Sequence, residues 1–144
     1  METKNIWEKL KFTDTLEVSA YDLLIQQSKF LIVATSGELK MEVSAMDSYL
    51  EDGNKKIPIA VYVLYVVAPN LANFKTKILT VYEGRKVDTR FPVDIYCHLD
   101  NKKSENVSEG DFINVISEIL SRKLVKKSIE DLYKTSKEYT KNLV

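Results

Sequence analysis

Apolar positions along this chain fall first into a helical period, then into alternation, then into a helical period again. Tyr21, Leu24, Ile25, Ser28, Leu31 and Ile32 repeat at the spacing of one helix face. Ser19 followed by Asp22 has the spacing of a capping box, with Asp in place of Glu or Gln. Together they predict a helix over 20–33, stopped at Thr35-Ser36-Gly37, where Gly37 can take the left-handed conformation. Ahead of it, Trp7, Leu10, Phe12, Leu16 and Val18 predict an N-terminal segment that packs on the core, with a short helix at 5–10.

From Glu38 the period becomes two. Leu39, Met41, Val43 and Ala45 alternate with Glu38, Lys40, Glu42 and Ser44, as in a half-buried strand. Tyr49 to Asn54 reads as a loop. Ile57 to Val67 is apolar on both faces, Ile57, Ile59, Val61, Val63 and Tyr65 on one and Ala60, Tyr62, Leu64 and Val66 on the other. A strand of that kind belongs in the middle of a sheet. A third strand is expected at 74–83. In a fourth, Phe91, Val93, Ile95, Cys97 and Leu99 point inward and Asp94, Tyr96, His98 and Asp100 outward. Asn101 to Val107 reads as a polar loop.

Ser108 and Asp111 repeat the capping-box spacing, and Phe112, Val115, Ile116, Ile119 and Leu120 form one helical face. Leu124, Val125, Ile129, Leu132 and Tyr133 form another. Either Ser121 separates two helices as an N-cap, or one long bent helix runs through. The expected fold is α+β: a four-stranded, mainly antiparallel meander with one helix before it and two after it. Short links between successive strands favour hairpins over parallel crossovers. Residues 1–144 are expected to form a single domain, since no repeat or linker interrupts them.

Composition adds limits rather than a function. With 144 residues, 44% of them hydrophobic, the chain can bury a core without disulfides or metal. Its 21 Lys and Arg balance 21 Asp and Glu, which lowers the expectation of a dedicated nucleic-acid binder. The lone Cys97 permits no internal disulfide and points to a reducing compartment. The first residues lack the apolar stretch of a signal peptide, and the run from Ile57 to Ala68 is too short to cross a bilayer. These features predict a cytoplasmic protein with no membrane partner.

Candidate chemistry is sparse. His98 is the sole histidine, and on a straight strand it lies about 7 Å from Asp94, beyond hydrogen-bond reach. Cys97 and His98 are adjacent, so a strand turns them to opposite faces, which suits no catalytic dyad. One Cys and one His cannot build a structural zinc site, no Gly-rich phosphate loop occurs, and no cofactor is expected. Glu38-Leu39-Lys40 has the Glu-x-Lys pattern of many metal-dependent nucleases, with Asp22 or another upstream acid as the second carboxylate. A solvated strand face explains the same residues.

Two stretches suggest contact surfaces. Arg122, Lys123, Lys126, Lys127, Lys134, Lys137 and Lys141 give the last 24 residues seven positive charges against three negative ones. Tyr62, Leu64 and Val66 would form a dimer or partner surface if the helices left that sheet face bare. The reading that follows is a non-catalytic protein-interaction domain of regulatory, inhibitory or immunity type, meeting a protein partner or a second copy of itself. The alternatives are a nuclease-like enzyme using Glu38 and Lys40, or nucleic-acid binding through the basic C-terminal helix.

Overall fold

Ser19 opens helix α1 (Ala20–Ala34) with the anticipated reciprocal cap. Its Oγ accepts the Asp22 N–H at 3.1 Å, and the Asp22 carboxylate accepts the Ser19 N–H at 3.2 Å. The far end closes with two paired bonds, Gly37 N–H to Ile32 O at 2.9 Å and Ser36 N–H to Val33 O at 3.3 Å. Both Ser36 (φ 50°) and Gly37 (φ 82°) are left-handed, so the stop is shared by two residues. The computed structural model describes residues 18–84 and 90–142. The expected packing of Trp7, Leu10, Phe12 and Leu16, and the helix at 5–10, lie outside the described residues.

The chain then forms β1 (Lys40–Asp52), β2 (Lys55–Ala68), a single 3-10 turn (Pro69–Leu71) and β3 (Phe74–Gly84). After them come β4 (Val93–Cys97), β5 (Lys102–Val107), α2 (Glu109–Ser121) and α3 (Lys123–Asn142). All neighbouring strands are antiparallel, in the order β1-β2-β3-β4-β5. The class is α+β with a meander sheet, as the periodicity predicts, but the sheet has five strands rather than four.

Three boundaries differ from expectation, each for a local reason. Tyr49–Asp52 are strand, not loop, because the two-residue turn Gly53-Asn54 closes the hairpin directly, with Gly53 at φ 64°. The polar run 102–107 is the edge strand β5, whose exposed residues need no alternation. Helices α2 and α3 break at Arg122, which is extended (ψ 143°) and whose carbonyl accepts the Lys126 N–H at 2.8 Å. Ser121 is the last residue of α2, its hydroxyl bonded to Ser117 O, and it caps nothing.

All three helices pack on one side of the sheet. Ala20 and Leu24 of α1, Phe112, Ile116 and Ile119 of α2, and Val125 and Leu132 of α3 share one buried cluster with Tyr62, Leu64, Val66, Val81 and Ile95. The opposite side of β2 forms a separate cluster, Ile59, Val61 and Val63 with Tyr65 beside it, and no helix residue belongs to it. Among the described residues, no helix is long and apolar enough to cross a membrane.

Candidate functional site

Strand β4 separates the two reactive side chains. Cys97 is fully buried on the helix side, where burial pushes its thiol up, and it sits within hydrogen-bond reach of the Asp100 carboxylate. His98 lies on the other side, its Nε2 at 2.6 Å from Thr80 Oγ1 and its ring edge-on to Tyr96 at 5.0 Å. Asp94 is engaged elsewhere, accepting the Asn106 N–H at 3.0 Å and facing Lys103 at 3.8 Å. Thiol, imidazole and carboxylate therefore converge nowhere on this strand. Asp100, expected to face outward, instead turns toward the helices to meet Arg122 and Cys97.

Burial first, and the Lys77 charge second, hold the His98 imidazole below its ordinary range. A base depressed in the folded state binds fewer protons there than in the unfolded chain. Stability is then full above the ordinary histidine value and falls as pH drops through it toward the lower folded value. Because His98 is the sole histidine, NMR titration of its ring protons gives this value directly. The expected midpoint is lower than in the urea-unfolded chain, and Lys77→Ala raises it only part of the way. A midpoint equal to the unfolded one would contradict the half-buried, Thr80-bonded geometry.

Glu38 does not act with Lys40. Its carboxylate accepts the Ser136 hydroxyl at 2.6 Å and the Asn70 amide at 3.2 Å, joining the start of β1 to α3 and the 3-10 turn. The Ser136 bond, against some desolvation and with help from Asn70 and Lys137, keeps this carboxyl below the usual glutamate range. Asp22, the suggested second carboxylate, caps the opposite end of α1, about 20 Å along the helix by its rise per residue. Among the described residues no group of three or more His, Cys, Asp or Glu is placed to hold a metal ion.

Of the expected contact residues, Tyr62, Leu64 and Val66 are core. They face the helices, and a second, smaller buried cluster lies on the other side of the same strand. There Ile59, Val61 and Val63 form a strip bordered by Met46, Leu50, Ile57 and Tyr82, which are 53%, 54%, 42% and 37% exposed. A shallow depression of about 350 Å³ continues from it across Leu50, Tyr82, Asp94, Tyr96 and Lys103. Charge lies at the two ends, with Lys75 paired to Glu42 and resting on the Tyr65 ring at one, and Asp94 and Lys103 at the other.

Helix α3 keeps part of its expected basic face. Lys123, Lys126, Lys127 and Lys134 are exposed. Arg122 is not among them, because its guanidinium binds Asp100 at 3.2 Å and Glu118 at 2.9 Å and is only 19% exposed. In comparisons with protein-family models, curated proteins and solved structures, nothing matches this chain.

Sequence reasoning missed Met46, Leu50 and Tyr82. The signal for them was the two-sided apolarity of β2: one face needed the helices, and the other needed something else.

Proposed function

We propose that this domain binds a protein partner through the sheet face opposite its described helices, where Met46, Leu50, Ile57 and Tyr82 are exposed, without catalysis of its own. The observation behind the reading is the group of exposed Met46, Leu50, Ile57 and Tyr82 around the buried strip of Ile59, Val61 and Val63, to which no described helix residue belongs. Clustered exposed apolar side chains with a charged rim mark binding surfaces more often than solvated ones. Glu38, held by Ser136 and Asn70, and Asp22, in the cap at the far end of α1, lie apart and lend the nuclease-like alternative no support.

Proximity cross-linking in the native cell tests the reading with three forms of the chain. The wild type is expected to capture a specific protein partner, Leu50→Lys/Tyr82→Lys to lose it, and Lys126→Glu/Lys127→Glu to keep it. Both double variants alter exposed side chains and are expected to retain the wild-type circular dichroism. Loss only in the lysine variant would move the contact to α3, and a partner that is nucleic acid, with steeply salt-dependent binding, would replace the reading with the alternative one. No specific capture by the wild type would remove it.

A further inference from the structure

Among the described residues, the outer edge of β1 carries less of the usual edge protection than the other edge does. β1 runs for 13 residues without Pro, Gly or bulge, in unbroken register with β2 from Lys40 opposite Val67 to Asp52 opposite Lys55. None of its residues is buried, and among the described residues it pairs with no strand but β2. β5 at the opposite edge is six residues long, carries Lys102 and Lys103, and has its register broken by a shift opposite Val93 and Ile95. Short length, lysines and bulges are the usual protection against strand addition. β5 has all three, whereas β1 is long and regular, with one lysine at its first residue and four acids.

We propose that two copies of this chain pair antiparallel through their β1 edges, about a two-fold axis at Met46. Directly opposed residues of an antiparallel pair share a face, so a two-fold axis must pass through a residue that opposes itself. Centring on Met46 sets Lys40 against Asp52 of the second copy, Val43 against Tyr49, and Ser44 against Ser48, each of them twice. Opposite charges and a β-branched residue facing an aromatic are favourable cross-strand pairs, and no like charges face each other. Moving the axis to Asp47 sets Glu42 against Asp52 and loses the Lys40–Asp52 pairs. Moving it to Ala45 sets Lys40 against Leu50, so the Lys40–Asp52 pairs are lost and no opposite charges meet. Charge complementarity selects the Met46 register.

Helix α1 supplies a second, separate argument. It packs mainly on β1, and Tyr21 near its start touches Tyr62 of β2 at 5.6 Å. Phe30 follows nine residues later, two and a half turns on, and so lies on the opposite flank, toward the β1 edge. It is 66% exposed there. In the pair the two α1 helices sit side by side, and each Phe30 gains cover next to the Val43–Tyr49 pairs. The pairing does not rest on what the opposite sheet face binds, although Met46 at its axis also borders that face.

The test uses the full chain. Met46→Cys is expected to give an oxidised, reducible cross-linked dimer, because residue 46 meets its own copy within disulfide range. Leu50→Cys is expected to give none, its two copies lying on the order of 25 Å apart along the paired strands. The native Cys97 is buried and does not compete. In sedimentation equilibrium the wild type is expected to dimerise, Lys40→Asp to weaken this roughly tenfold, and Lys40→Asp/Asp52→Lys to restore it. A wild type monomeric at every concentration, cross-linking equally efficient at 50 and 46, or a charge swap without rescue would each overturn the pairing.

Discussion

Phe112→Ala is expected to cost about 3–5 kcal/mol of folding stability, the range for emptying a fully buried aromatic site. Phe112 is among the largest side chains with no exposed surface, and its ring meets Phe91 edge-on at 5.7 Å, so the loss includes an aromatic contact. It stands at the first turn of α2, where that helix lies on the common core of sheet and helices. A domain of this size has about 5–15 kcal/mol of net stability, so the variant forfeits roughly a fifth or more of it. Thermal unfolding is expected to move down by on the order of 10 °C. Phe112→Leu keeps most of the volume and is expected to lose less than about 1.5 kcal/mol. Phe74→Ala removes the same side chain from a site that is 57% exposed, and is expected to lose under about 1 kcal/mol. Equal losses at 112 and 74 in urea titrations would contradict the one-sided core.

That core explains which parts of the architecture could be read from residue order. Val93, Ile95 and Cys97 alternate with Asp94, Tyr96 and His98 because β4 has one dry and one wetter face, and period two expresses this directly. Ser19 and Asp22 named the start of α1 because a cap is a contact between near neighbours, complete within four residues. β5 escaped because an edge strand held by backbone bonds, with most side chains in water, imposes no hydrophobic period. The helix break, expected at Ser121, lies one residue later. It falls on Arg122, whose extended conformation goes with partners 22 and four residues away, and no local rule records the more distant one.

The candidate surface was half legible for a related reason. Period two divides β2 into Ile59, Val61 and Val63 against Tyr62, Leu64 and Val66, but the two sets are almost equally apolar. Which set receives the helices depends on the side to which α1 and the α2–α3 pair return, and that is decided by their connections and by partners far along the chain. Glu83 illustrates the point: buried on β3, it accepts the Tyr62 hydroxyl at 3.3 Å and the first N–H of α1, from Ala20, at 3.4 Å. A carboxylate at a helix N-terminus meets the positive end of the helix dipole, which favours α1 on the Tyr62 side. The link spans 63 residues, outside the reach of any spacing rule.

Arg122→Ala is expected to cost about 2–3 kcal/mol, which is large for a change at a helix joint. The guanidinium reaches Asp100 at 3.2 Å and grips Glu118 through Nε at 3.0 Å and Nη2 at 2.9 Å. The two acids do not count equally. Glu118 is 61% exposed, where such a pair contributes about 0.5 kcal/mol. Asp100 is 9% exposed, and there, although burial opposes its ionisation, the Cys97 thiol and Arg122 hold its carboxyl below the ordinary aspartate range. Removing Arg122 leaves that charge nearly buried with its cation gone, so most of the penalty comes from Asp100. Asp100→Ala in the same background is therefore expected to recover part of the loss, with a coupling energy above about 1 kcal/mol in a double-mutant cycle. Arg122→Lys keeps the charge but cannot fork between two carboxylates, and is expected to fall between wild type and Ala. The acid dependence follows from the lowered carboxyl: the contribution is full above the ordinary aspartate value and fades as pH falls through the folded one. The gap between wild type and Arg122→Ala should thus narrow in acid, whereas strictly additive single losses at neutral pH would mean that Arg122 and Asp100 stabilise the chain separately.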